Sequence, residues 1–413
     1  MACKKEHNQP VITDPPLVIN QDTTCTTCKD CKEGDGVNGP LCLWKNRITL
    51  TNELSANHRP FVYKELVIFT RNLDSYPHDV LVFYHKDTGK KLGEWDGYLP
   101  NTPSKVSNEG FYAFGNTLVI GTGTRIYAID LQTFKTRWVT KSHDFGNLTV
   151  NGIGNTTFHY TLSENQKTIY LDKGYTDKDK VETIYQETVP DNIKVSMWYY
   201  QPYTEGTDTI ALFWMNKYNY ETYASDWYLT SYNVTQNKLI YQEKIKQAGK
   251  NNGGLPGAPN IKNGKIYAGI GDGLYCLDIK TGQEIWQVNL KYNQTYTAIV
   301  GDDGNVYTST TVLPDGLFRC FDGNTGAELW SIKVDNSLQN MFYHNDIVYV
   351  TASGTTEINA IDVKQKKILY KYKCSETKPS NDVYFLPVFF LDKSTGKMYI
   401  GSNTTAYCLK TIK

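Results

Sequence analysis

The chain has no excess of either charge, no long apolar run and no helical periodicity, and each absence removes a class of function. Lysine plus arginine number 43 and aspartate plus glutamate also 43, so no global field draws in nucleic acid or an anionic membrane surface. No apolar stretch approaches the roughly 18 residues that a membrane-spanning helix needs. The seven histidines, His7, His58, His78, His85, His143, His159 and His344, are scattered without metal-ligand spacing. There is no Gly-x-Ser-x-Gly nucleophile elbow, no pair of adjacent cysteines and no Cys-x-x-Cys-His haem attachment. Gly121-Thr122-Gly123-Thr124-Arg125 looks like half a dinucleotide fingerprint, but it lies between two strand patterns and no helix follows to hold a pyrophosphate.

What is present is aromatic and turn-forming. Thirty-one tyrosines stand beside 32 glycines, which is the composition of strands separated by tight turns. The segment 264–286, GKIYAGIGDGLYCLDIKTGQEIW, reads strand, turn, strand, Asp-x-x-Thr-Gly turn, strand. It recurs at 305–330 with Phe321-Asp322-Gly323-Asn324-Thr325-Gly326 and at 117–138 with Ile126-Tyr127-Ala128-Ile129-Asp130. An aromatic residue closes each unit, at Trp44, Trp95, Trp138, Tyr185, Tyr241, Trp286, Trp330 and Tyr370. That spacing fits four-stranded blades and predicts an all-β, eight-bladed β-propeller. The third and fourth units, about 150 to 245, are placed by spacing rather than by motif; seven blades is the alternative count.

After Tyr370 the sequence offers three strand patterns, 385–391, 397–402 and 406–411, and then ends. Residues 41–47 carry a closing tryptophan, Trp44, with no strands of their own before it. They are therefore expected to supply the missing fourth strand and close the ring, leaving no open edge between the first and last blades. Aligning the units on their closing aromatic puts Cys276, Cys320 and Cys408 at one position with Ala128, Ser231 and Ala360. A position that takes only small side chains is a packing position, so these thiols are expected to be buried.

The units resemble the pyrroloquinoline-quinone (PQQ)-type propeller repeat, in which Tyr-Ala-Leu-Asp, Thr-Gly and an outer-strand Trp follow one another. The match is sharp in blades 2, 5 and 6 and partial at Ile361-Asp362 and Tyr407-Cys408-Leu409. The resemblance implies the fold over residues 40–413. It also implies relatives of two kinds, quinoprotein dehydrogenases and a smaller outer-membrane assembly lipoprotein that binds a barrel-inserting partner. The enzymes hold PQQ and calcium under a vicinal disulfide, and this chain has none of those motifs, so neither a cofactor nor catalysis is expected. Acidic turns such as 271–273, 301–304 and 177–179 are read as hairpin turns rather than calcium sites.

Residues 1–39 are expected to form a flexible tether. Ala2-Cys3 followed by a polar stretch resembles the processed start of a bacterial lipoprotein, with Cys3 the lipidated residue and the outer membrane the expected location. Cys25, Cys28, Cys31 and Cys42 sit close together. Disulfides among them are the expectation in an exported protein, with unpaired membrane-proximal thiols or a shared metal as alternatives. The remaining feature is aromatic density in the least regular unit. Trp198, Tyr203, Trp214, Tyr218, Tyr220, Tyr223 and Trp227 form a candidate binding surface, with residues 215–226 expected to project as a long loop. The functional expectation is a non-enzymatic scaffold for envelope proteins. Glycan binding through Trp198, Trp214 and Trp227 is the second reading, and a PQQ-dependent oxidoreductase the third.

Overall fold

Each unit read from the sequence folds as one antiparallel sheet of four strands in simple up-and-down order. The structure is a computed structural model and describes residues 42–48, 59–72, 79–99, 106–123, 125–141, 143, 145–248, 257–270, 273–290, 297–310, 316–334, 338–352, 357–373, 385–402 and 405–412. The tether, with Cys3, Cys25, Cys28 and Cys31, lies outside these residues, as does residue 124.

Chain order begins with β1 (Cys42–Arg47). Blade 1 holds β2 (Phe61–Tyr63), β3 (Leu66–Asn72), β4 (Asp79–His85) and β5 (Lys91–Trp95). Blade 2 holds β6 (Val106–Phe114), β7 (Thr117–Thr122), β8 (Arg125–Asp130) and β9 (Lys135–Lys141). Blade 3 holds β10 (Phe145–Ile153), β11 (Thr156–Leu162), β12 (Thr168–Tyr175) and β13 (Val181–Thr188). Blade 4 holds β14 (Ile193–Glu205), β15 (Asp208–Asn219), β16 (Ala224–Asn233) and β17 (Lys238–Ala248). Blade 5 holds β18 (Asn260–Lys262), β19 (Lys265–Ile270), β20 (Gly273–Asp278) and β21 (Glu284–Asn289). Blade 6 holds β22 (Ala298–Val300), β23 (Val306–Thr310), β24 (Gly316–Phe321) and β25 (Glu328–Val334). Blade 7 holds β26 (Leu338–His344), β27 (Ile347–Ala352), β28 (Glu357–Asp362) and β29 (Lys367–Lys373). Blade 8 holds β30 (Phe385–Asp392), β31 (Lys397–Ser402) and β32 (Thr405–Lys410), and β1 completes it. The count is eight, including blades 3 and 4, whose sequences carried the motif least.

Closure follows the expected route. β1 pairs antiparallel with β32, with Trp44 opposite Cys408. The first strands of neighbouring blades approach one another, so they line the ring's inside and the aromatic-bearing fourth strands form its rim. Because a blade is packed on both faces, its central strands are buried throughout: β7 is Thr-Leu-Val-Ile-Gly-Thr with every residue buried. Alternate residues then serve alternate seams. Leu118 and Ile120 face blade 1, while Val119 faces blade 3.

The repeat motif explains the seams. Cys276 opposes Trp286, Cys320 opposes Trp330, Ala128 opposes Trp138, Ser231 opposes Tyr241 and Ala360 opposes Tyr370. All five of those small residues are fully buried, as is Cys408. A β-bulge beside the aromatic sets the register there, and its extra residue faces outward. This accounts for the exposed rim positions Leu43, Ile240, Ile285 and Leu329. Where the next blade's turn carries Gly, the ring lies over it, as Trp44 does over Gly89. A Cβ on Gly282 would come within 2.5 Å of Tyr241, and one on Gly326 within 2.8 Å of Trp286. The Asp of the same turn gathers backbone amides: Asp278 Oδ1 accepts from Lys280 and Thr281 N at 2.9 Å. These are turn carboxylates, and Asp303, bonded to Asn305 and Tyr307, is another.

Candidate functional site

Blade 4 departs from its neighbours in length. Its strands have 13, 12, 10 and 11 residues. β16 begins at Ala224, seven residues ahead of Ser231, whereas β20 begins at Gly273, three ahead of the equivalent Cys276. The additional four residues carry the β15–β16 hairpin about 13 Å beyond the level of the blade 5 hairpin at ~3.3 Å per residue. The pairing continues to the end, with Asn219 opposite Ala224 and Ser225 opposite Ala248. The expected long loop at 215–226 is thus a ladder of paired strand capped by a turn at 220–223. Alternating Tyr, Lys and Asn satisfy both a loop composition and a half-exposed strand, which is why the sequence misled.

The tip is held by polar contacts. Asn219 Oδ1 accepts from Glu221 N at 2.9 Å and from Thr222 N at 3.0 Å. Tyr220 N donates to Asn192 O at 3.0 Å, and Asn192 Nδ2 donates to Glu221 Oε2 at 3.2 Å. Tyr218 and Tyr220 meet edge to face at 5.5 Å. Lys194 Nζ lies 5.0 Å from the centre of the Tyr220 ring. From blade 3, Lys167 Nζ donates to the carbonyls of Pro190, Asp191 and Ile193, pinning the connection that runs beside the hairpin tip.

Lower down, Lys217 pairs with Glu187, which also accepts from Tyr185 Oη at 2.6 Å and Gln242 Nε2 at 2.8 Å. Burial pushes the Glu187 carboxyl up, but these three donors outweigh it and hold it below the ordinary range. Residue reasoning from sequence missed Lys167, Glu187, Asn192 and Lys217, which act only through contacts between blades.

The seven aromatic candidates separate. Tyr223 is 66% exposed at the turn, at φ +55°. Tyr218 and Tyr220 are half-buried beside it, and Tyr203 is half-buried against the seam with blade 5. Trp214 and Trp227 are corrected: they are 0% and 2% exposed, packed in the core between blades 4 and 5. They point into a seam because the blade has no solvent face along its central strands. Trp198 lies in β14 opposite Trp214, and its side chain is outside the described residues. A glycan platform of three tryptophans therefore loses two of them. Cys42, the one described member of the cysteine cluster, is half-buried in β1 opposite Leu409. Among the described residues no three His, Cys, Asp or Glu side chains converge as metal ligands.

Residues 226–332 and 271–384 match the family model described as outer membrane protein assembly factor BamB. No curated protein matches the sequence at a significant level. The structure of BamB from Moraxella catarrhalis is similar at a TM-score of 0.61 with 14% identity, covering 89% of this chain and 99% of that one. A computationally designed protein, Ika8, gives 0.61 with 13% identity, covering 87% and 97%. The dihydro-heme d1 dehydrogenase NirN gives 0.54 with 11% identity, covering 87% and 73%. At such identities the likeness is one of fold, shared by an assembly factor, a designed protein and an enzyme. The fold is that of a PQQ-like β-propeller.

Proposed function

We propose that this chain is an envelope protein that works by holding a protein partner on the projecting hairpin of blade 4, with no chemistry of its own. The observation that carries the reading is Tyr223, an aromatic ring two-thirds exposed at the end of an extended blade whose tip is braced by the adjoining connection. Rigid aromatic side chains that lose little entropy on contact are the residues that anchor protein interfaces. The match of residues 226–384 to a model of outer-membrane assembly factors supports an assembly role. In this reading Cys3 carries a lipid that attaches the protein to the outer membrane, residues 4–39 give the ring reach, and disulfides among Cys25, Cys28, Cys31 and Cys42 anchor the tether beside β1.

The test is crosslinking in native membranes followed by purification through a C-terminal tag. A stoichiometric partner that is lost when 219–224 is replaced by a two-residue turn is the expected result. Recovery of the propeller alone, or a partner retained by the shortened hairpin, contradicts it. Cys3→Ser is expected to move the protein from the membrane fraction to the soluble one. Addition of PQQ with calcium is expected to leave the absorption spectrum unchanged.

A further inference from the structure

The seam between blades 2 and 3 is built unlike the other seven. Among the described residues its buried apolar cluster is Val119, Ile126, Ala128 and Val150, four residues where the other seams have nine to twelve. Buried polar side chains stand beside them. Val150 pairs with His159 and His159 with Asp172 across the sheet, so the three share the face turned to blade 2. Thr157, His159 and Thr161 are 0% exposed and Asp172 1%.

His159 fits because residue 174 is glycine: a Cβ there would lie 2.7 Å from its Nε2. That nitrogen is 2.8 Å from Thr157 Oγ1, while Nδ1 is buried without a partner. The seam's closing aromatic is also less secured. Trp44, Trp95 and Trp286 donate their indole N–H to Lys86 O, Thr136 Oγ1 and Gly323 O. The nitrogen of Trp138 is buried with no acceptor. Tyr112 does fasten the innermost strands, donating to Gly154 O at 2.7 Å.

We propose that this seam is where the ring opens on acidification, with His159 the group whose protonation drives the opening. Inside the closed seam burial holds the His159 ring neutral, its pKa pushed down to about 3. A released His159 returns to about 6.5, so the open form takes up a proton that the closed form refuses. The closed seam is thus fully stable above pH 6.5 and loses stability as pH falls from 6.5 toward 3.

The charged surroundings do not reverse this. β7 and β8 present Val119, Ile126 and Ala128, and further along the same face Thr117 and Asp130, whose carboxylate is held by Arg137 Nε at 2.8 Å and by the amides of Gln132 and Thr133. Asp172 stands opposite on β12, but its Oδ1 is engaged by Thr183 Oγ1 at 2.7 Å and lies 3.3 Å from His143 Nε2. His143 is stacked 3.7 Å from the Tyr170 ring. Lys141, Asp179 and Lys180 line the same cavity of about 390 Å³ at the rim.

Hydrogen exchange of the full chain at pH 7.5 and 5.5, with rates corrected for intrinsic chemistry, tests the proposal. Between those values the open population rises about tenfold. Amides of β10 to β12 are expected to lose protection by that factor while β19 to β21 do not, and His159→Leu is expected to abolish the difference. Protection lost evenly around the ring, unchanged, or lost equally in the variant overturns it. If His159→Leu does not fold, NMR of ring-labelled histidine decides. A His159 ring that stays neutral to pH 4.5 in the closed form supports the proposal, and one titrating near 6.5 in an unopened ring overturns it. The outcome does not depend on what the hairpin binds.

Discussion

Gly264 and Gly282 have nearly the same backbone, φ +74° and +73°, but different surroundings. Nothing lies within 4 Å of a Cβ on Gly264, while one on Gly282 strikes the Tyr241 ring. Gly264→Ala should therefore cost only the left-handed backbone term, about 1–2 kcal/mol. Gly282→Ala should add displacement of the ring that closes the seam between blades 4 and 5, for about 3 kcal/mol or more. Denaturant unfolding of the two variants measures the difference. The buried thiols make a second prediction at this scale. Burial raises Cys276 to about 11 and Cys320 to about 12, so neither should react with an aromatic disulfide reagent at pH 8 until the protein is unfolded. Cys276→Ala should stay within about 1.5 kcal/mol of the parent, and Cys276→Leu, forced against Trp286, should cost about 1–3 kcal/mol.

At the scale of the element, blade 4 separates packing from function along one pair of strands. Trp214 is core, so Trp214→Ala should destabilise the propeller by about 3–5 kcal/mol. Tyr223 touches nothing that the fold needs and sits at a positive φ, so Tyr223→Gly should raise stability by up to about 1 kcal/mol while removing the proposed anchor. Thermal unfolding of both variants reads the opposite signs. The sequence announced that this unit was unusual, through its tyrosines and tryptophans, but not which of them were core. Period-two alternation sorts inside from outside when a strand has one solvent face. In β15 it sorts Phe213 and Met215 from Leu212 and Trp214 as two different seams. His143 and His159 were legible only as scattered histidines, because their relation to Asp172 exists across β11 and β12 and not along the chain.

At the scale of the whole molecule, the ring depends on the six residues of β1. Trp44 is 1% exposed, donates its indole N–H to Lys86 O at 2.8 Å and packs against blades 1 and 8 at once. Its counterparts sit inside blades made from contiguous sequence, whereas β1 joins the two ends of the propeller, and its loss leaves blade 8 one strand short and uncovers the seam with blade 1. Deleting residues 40–50 should unfold the protein, and Trp44→Ala should cost about 3–5 kcal/mol, both read by near-ultraviolet circular dichroism. This closure was legible because the last unit lacked one strand and the first segment offered one. Blade number was legible for a similar reason: the closing aromatics recur even where the Asp-x-x-Thr-Gly turn does not, as at Tyr185 and Tyr241.

The central functional claim is that one braced hairpin, and not the rim of the ring, meets the partner. The most direct measurement places a photoreactive amino acid at position 223 and, separately, at the exposed rim position 329, followed by irradiation in native membranes. A single defined adduct at 223 with none at 329 is the predicted result. Equal labelling at both positions, or none at 223, would contradict it.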